Sequence, residues 1–358
     1  MLEQVASAFE KKDYKTAAKL VKQLLKESPE DPWVKLYAAK LYEVHEKHPE
    51  AEKIYRRLLR DTTNNKIVTQ ARQGLQRLQE IEKQERQQAI AEATADPNNT
   101  EPGLLILEPI SNELKTEAAQ QFAKIMQIDP YSARLLLPSR GWKLYRTGAV
   151  GELKFYGEQF LNVGIPCFWA KISDVQKIEV LQVDYFQESI SGASIVCRNP
   201  NGQIGSLNFD WSEVTARVVG LLPIFEQVVN VNNRWQVERK TKTQDYFQFC
   251  DLHLAKRRCI IRIHDHGYNF QEGIKIAGEP SKNTNRINWN SLSQWLEQQT
   301  PIVKTWSDFT PFGETVLDYK ELLGQIDSHI HLFRRESTLW DPAFQLYSGL
   351  VFVKNGNW

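Results

Sequence analysis

The sequence predicts a multidomain chain, all-α at its N-terminus, then a small α/β unit, then an antiparallel β domain. Three observations carry this. The helical pattern "DYKTAAKLVKQLLKESPEDP" at 13–32 is echoed 34 residues later by "KHPEAEKIYRRLLRDTTNN". The stretch "TADPNNTEPG" at 94–103 holds Pro, Asn and Gly residues that sustain neither helix nor strand, so it is expected to be a linker. From about residue 175 onward, apolar and polar residues alternate with a period of two.

The echo is taken first. At a shift of 34, Ala17 falls on Ala51, Leu20 on Ile54, Val21 on Tyr55 and Leu24 on Leu58. Upstream, Val5 falls on Ala39 and Ala8 on Tyr42. Small or apolar residues at helical spacing line a contact between antiparallel helices, and Ala17 and Ala51 permit close approach. Pro29 and Pro32 end one unit and open the next. Residues 66–92 begin in the register of a third unit and then run on as a long polar helix, as a terminal cap would.

A 34-residue helix–turn–helix with these small, aromatic and Ala/Leu positions resembles the tetratricopeptide repeat (TPR). "KLYAAKLYEVHEKHPEAEKIYRRLL" carries the better match, through Ala39, Tyr42, Ala51, Tyr55 and Leu58. The resemblance implies that the first helix of each unit faces a groove for a partner protein. Carried over by register, that face holds Leu2, Ala6 and Phe9, then Trp33, Leu36, Lys40 and Glu43, then Gln70 and Arg77 on the cap. Phe9, Trp33 and Leu36 would form an apolar floor. Lys40 and Arg77 would hold a carboxylate or orient an acidic peptide. The competing reading is that the chain's own C-terminal half covers this face.

Residues 104–174 are expected to fold as a small α+β module. Helices are predicted over 112–127, at "DPYSARLLL" and at "VGELKFYGEQFLNVG", with strands at "WKLYRTG" and "IPCFWAKI". The layout resembles a ferredoxin-like half-module. Over 175–300 the alternating segments "KIEVLQVDYFQ", "GASIVCRN", "GQIGSLNFDW", "RWQVERKTK", "YFQFCDLHLA" and "RCIIRIHDHGYNF" predict strands, with turns at 199–202 and 255–258. One helix, "NWNSLSQWLEQQ", follows. Antiparallel strands closed by one amphipathic helix resemble a pleckstrin-homology-like (PH-like) barrel. The extension 301–358 is expected to hold a helix near 315–326. Its aromatic-rich segments "HIHLF" and "FQLYSGLVFV" are expected to pack back on the β domain.

Chemistry is sparse. A net charge of +1 supplies no field that selects nucleic acid, and no nucleic-acid module is identifiable. No apolar run approaches the roughly 18 residues of a membrane span. The charged N-terminal helix pattern lacks the apolar centre of a signal peptide, and the four cysteines form no C-x-x-C pair, so a reducing, cytoplasmic setting is expected. His264 with His266, and His329 with His331, are i,i+2 pairs that would share a strand face and could chelate an ion, with Asp251, Asp265 or Asp327 near in sequence. The plainer reading is histidines at strand ends. Cys250 and Cys259 read as buried thiols, and Trp169 and Trp235 as core. The basic tip at 255–258 reads as a solvated turn, or as a contact for lipid phosphates or an acidic protein patch. No G-x-S-x-G elbow, Walker loop or G-x-G-x-x-G after a strand is present.

These readings converge on a non-catalytic interaction or scaffold protein that binds another protein through the repeat groove and needs no cofactor. The alternatives place an enzyme or metal site in the β-rich half, or a peripheral membrane adaptor in the barrel. The domain order and Gln/Asn-rich style resemble multidomain TPR proteins of photosynthetic bacteria, which implies an assembly role.

Overall fold

The computed structural model describes residues 1–231, 237–276, 280–332, 334 and 338–356. They form two compact units, Met1–Glu92 and Ala93–Trp358.

The first unit is helical: α1 (Leu2–Glu10), α2 (Tyr14–Glu27), α3 (Pro32–Val44), α4 (His48–Asp61) and α5 (Asn65–Ala93). The Asp13 carboxylate accepts from the Thr16 amide and Asp31 from Trp33, so both helices start on a side-chain cap. Pro32 and Pro49 occupy first-turn positions, where a missing N–H costs nothing. The repeat is visible in the backbone itself. Lys12 (φ 56°) and Glu46 (φ 57°) both adopt the left-handed conformation. Around them the bonds Lys12 N to Phe9 O and Asp13 N to Ala8 O recur as Glu46 N to Glu43 O and Lys47 N to Tyr42 O. Each turn thereby satisfies the last carbonyls of its first helix.

The paired positions hold the core as the register predicts. Val5, Ala17, Ala39, Ala51 and Tyr55 are fully buried, and Val21, Leu24 and Leu58 nearly so. One pair departs from it: Ala8 is buried, while its counterpart Tyr42 is exposed. Tyr55 supplies the interior aromatic instead, and its ring lies where Gly74 has no side chain. A Cβ added at Gly74 would come within 2.5 Å of that ring. α3 is buried on two sides. Val34 and Ala38 meet α1 and α2, and Leu36 and Ala39 meet α4 and α5. The Ala51→Leu variant is expected to overpack this contact and lower stability by about 1–3 kcal/mol. A thermal melt matching the parent would show that the contact has room to spare.

The second unit opens with β1 (Pro102–Leu107), α6 (Lys115–Met126), α7 (Pro130–Leu136), β2 (Lys143–Ala149), α8 (Val150–Asn162), β3 (Cys167–Lys171) and α9 (Ile172–Gln176). β1 thus begins inside the stretch read as a linker. The sheet order is β2-β1-β3, with β1 antiparallel to both neighbours. β2–α8–β3 is therefore a split βαβ unit with β1 inserted.

A seven-stranded sheet follows: β4 (Glu179–Gln187), β5 (Ala193–Arg198), β6 (Ile204–Phe209), β7 (Ala216–Val231), β8 (Val237–Leu254), β9 (Cys259–His264) and β10 (Thr305–Trp306). Its order is β10-β7-β8-β9-β4-β5-β6. It is antiparallel except for the β4–β9 and β7–β10 pairs. β7 was not anticipated. Its sequence is apolar without alternation, and Pro223 inside it argues against a ladder strand.

One sheet face packs on α10 (Asn285–Gln299) through Trp289, Leu292 and Leu296. The other is covered by α13 (Trp340–Asn355), with α11 (Phe309–Val316) and α12 (Lys320–Leu323) beside it. The helix expected near 315–326 is instead α11 and α12, separated at 317–319. "FQLYSGLVFV" lies in α13 and is buried all round. A helix wrapped in protein needs no polar stripe, so its sequence carries none. Leu104, Leu144, Val218, Phe249, Phe312 and Leu350 belong to one continuous core. Residues 104–174, the β-rich segment and the C-terminal extension all contribute to it. Trp235, Phe333 and Arg335 lie outside the described residues.

Candidate functional site

The first helix of each repeat gathers the predicted partner-binding residues along α1, α3 and α5. Phe9 stacks on Tyr37 with ring centroids 5.4 Å apart, and Tyr37 lies 6.5 Å from Trp33. All three rings are partly exposed. Lys40 sits 5.5 Å from the Tyr37 ring centroid, and its ammonium donates to Gln70 Oε1 at 2.7 Å. Burial and the nearby Arg77 guanidinium lower the Lys40 pKa.

Further along, Arg77 grips Glu43 with two bonds, Nε at 2.6 Å and Nη2 at 3.0 Å, and the Tyr55 hydroxyl donates to the same carboxylate at 2.7 Å. Burial pushes Glu43 up. The Arg77 and Tyr55 hydrogen bonds outweigh it and hold the carboxyl below its usual range. The Tyr55 phenol is pushed up by burial and then by Glu43.

The structure brings Phe9, Trp33, Lys40, Glu43, Gln70 and Arg77 onto linked helices, while Leu36 differs. It is fully buried against Ala51, Tyr55 and Ala71 and forms no open floor. α3 has neighbours on two sides, so the i+3 step from Trp33 turns inward. Leu2 packs partly buried beside Val5, and Ala6 is partly buried. Tyr37 was overlooked. Its signal was its place on α3, four residues after Trp33 and three before Lys40. The result is an aromatic strip, Phe9–Tyr37–Trp33, bordered by a fixed ammonium and a clamped ion pair. Such a strip can hold apolar side chains and an acidic group of a peptide or helix.

In the second unit the His264–His266 pair stays together, while His329 and His331 part. His264, His266 and His331 line one cavity, whereas His329 lines a separate recess with Gln325, Asp327 and Gln345. His264 is buried and its pKa falls to about 4, chiefly through burial. His266 Nδ1 lies 2.9 Å from Asp265. Burial also lowers His329. Among the described residues, no group of three His, Cys, Asp or Glu side chains is placed to hold a metal ion.

All four cysteines are buried thiols. Burial raises Cys250 to about 12 and Cys259 to about 11, so neither is a ready nucleophile. At the basic tip, Arg257 is committed to Glu213, with Nε and Nη2 each at 2.7 Å.

A polar network beneath α13 had no counterpart in the sequence reading. Arg262 pairs with both oxygens of Asp251 at 2.9 and 2.7 Å, and all of these side-chain atoms are inaccessible to solvent. The Ser348 hydroxyl donates to Asp251 at 2.6 Å, and His253 Nε2 lies 3.0 Å from the same hydroxyl. Ser, His and Asp meet here, but the Ser348 proton points to the carboxylate. His253 is driven to about 4 by burial, and nothing opens to substrate. The group is a structural lock joining α13 to β8 and β9.

A tetratricopeptide-repeat family model matches residues 8–75, which span α2, α3 and α4 with parts of α1 and α5. The N-terminal unit is TPR-like, and repeats of this family generally bind other proteins. The match supports a protein–protein interaction or scaffold role in general terms. No curated protein and no solved structure matches the chain. No helix among the described residues is long and apolar enough to cross a membrane.

Proposed function

We propose that this protein is a non-catalytic scaffold that holds a peptide or helix of another protein along α1, α3 and α5, and serves the assembly of a larger complex. The observation that carries the reading is the partly exposed Phe9–Tyr37–Trp33 strip beside Lys40. A strip bordered by one ammonium and a guanidinium already paired with Glu43 favours a partner with apolar residues and a carboxylate nearby. Aromatic and Arg residues are also those that interface hot spots favour.

The test compares the parent with a variant carrying Trp33→Ala and Lys40→Ala. Affinity capture with mass spectrometry identifies what the parent binds, and the identified partner is then titrated against both proteins. Partner affinity is expected to fall by roughly a factor of ten or more, the loss of a hot-spot pair. Melting should change little by comparison. Unchanged affinity with lowered melting would make the strip part of the fold's own packing and end the proposal.

A further inference from the structure

β10 pairs with β7 at Arg217 and Val218, and the chain then turns away into α11. From Val219 onward, no strand of the described residues lies beside β7 on that side. Backbone parity fixes what this leaves open. Arg217 N donates outward to Lys304 O at 3.1 Å, and alternate residues of a strand turn their N–H and C=O to the same side. Val219 and Leu221 therefore also turn their backbone groups outward, while Val218, Gly220 and Leu222 turn theirs to β8. Pro223 shares the outward side, which is why a residue without an N–H fits inside this strand.

The open edge thus runs from the end of β10 to Pro223, a span of about 13 Å for Val219 to Pro223. It holds no charged side chain of the kind that guards an edge against pairing. Leu221 is 44% exposed, and Val219 is partly exposed. A cleft of about 500 Å³ adjoins them, a size usual for binding clefts.

The lining says what the cleft would hold. α10 contributes Asn290, Ser293 and Gln294, and Ser307 and Thr310 follow β10. These are neutral groups that can donate and accept hydrogen bonds. The charged lining residues Arg217 and Glu297 are matched to each other at 3.3 Å. Outward N–H and C=O groups repeated every second residue, about 7 Å apart, fit the main chain of another strand. The apolar ledge of Val219 and Leu221 suits an apolar side chain on that strand.

We propose that an extended, uncharged segment of another protein adds to β7 at Val219–Pro223, its main chain bonded to Val219 and Leu221 and its side chains lying in the cleft beside α10. This is strand addition at a sheet edge. The site lies wholly within Ala93–Trp358 and does not depend on the partner-binding reading of the first unit.

The test follows backbone amides of the full-length protein by hydrogen exchange with NMR detection. In the free protein, Val219 and Leu221 are expected to exchange faster than Gly220 and Leu222, by roughly tenfold or more, although all four lie in one strand. A displayed library of random linear peptides is then selected against the parent, and the recovered peptides are synthesised. They are expected to slow exchange at Val219 and Leu221. N-methylation at alternate peptide residues should abolish binding, and at the intervening residues spare it, because a strand turns every second N–H to its neighbour. Leu221→Pro removes an outward N–H, and Ser293→Trp fills the cleft from α10. Each should weaken binding by roughly tenfold or more. Binding is compared only for variants whose melting matches the parent, so a folding defect in one leaves the other to decide. The proposal is overturned if both amides are already protected in the free protein, or if no library peptide protects them. It is equally overturned if methylation shows no alternation, or if a well-folded variant binds like the parent. Protection that grows with protein concentration alone would give the edge to a second copy of the chain and overturn it as well.

Discussion

Asp251→Ala is expected to produce the largest loss of stability of any single change in the second unit. The carboxylate is fully buried and accepts from Arg262 twice and from Ser348 once. Arg262 is also fully buried and donates further to the Ser328 carbonyl and to Gln345 Oε1. Removing the carboxylate leaves a guanidinium in the core without its counter-charge. Breaking a buried pair in this way costs about 3–5 kcal/mol, against a total stability of roughly 5–15 kcal/mol for a domain. The Phe344 ring, 5.1 Å from the guanidinium, is a weak substitute.

Replacing both partners tells the charge apart from the shape. Asp251→Leu with Arg262→Met should recover much of the loss, because a buried pair exchanged for apolar groups of similar size is often nearly neutral. Urea unfolding followed by tryptophan fluorescence reads both variants. A midpoint for Asp251→Ala close to the parent's would mean that water reaches Arg262 after the change, and the lock would then contribute little.

This lock also shows where sequence reading succeeds and where it stops. Cys250, Leu252 and Leu254 alternate with Asp251 and His253, and Ile261 and Ile263 alternate with Arg262 and His264. The alternation predicts strands, and strands form. It also reads as one dry and one wet face. The polar face is in fact dry, because α13 lies across it, and nothing local to β8 or β9 records that. α13 hides for a related reason: buried on every side, it shows no helical stripe. β7 has apolar neighbours before and after each residue and so loses its period of two.

The helical repeats were legible because each has solvent on one side and a partner on the other. The 34-residue spacing recurs in the structure as matching left-handed turns at Lys12 and Glu46. Leu36 was misplaced and Tyr37 missed because α3 has a helix on two of its sides. A single groove-facing stripe carried over by register cannot capture that geometry. The register also sets Gln182 on β4 beside Arg198 on β5 and Arg262 on β9, 16 and 80 residues away, which no local pattern connects.

Acid is expected to destabilise the second unit well before its carboxylates titrate. Burial holds both His253 and His264 at about 4 in the folded chain, against 6.5 for an ordinary imidazole. The nearby charges act differently on the two rings. Asp251 raises His253 and Arg262 lowers it, while His266 and then Arg262 lower His264. A lowered folded-state pKa means that the unfolded chain takes up the proton first. The contribution is therefore complete above pH 6.5, falls as the pH drops from 6.5 towards 4, and levels off below that. A shift of this size corresponds to on the order of 3 kcal/mol per ring at most. Urea unfolding between pH 7.5 and pH 5 should show the midpoint falling steadily over about two units. His253→Gln keeps a donor for the Ser348 hydroxyl while removing the titration, and it should flatten the slope by roughly half. His264→Gln should do the same, and the two together should leave only the slope that His329, also lowered by burial, contributes. A slope as steep in the double variant as in the parent would place the acid sensitivity elsewhere in the chain and show that neither buried ring controls it.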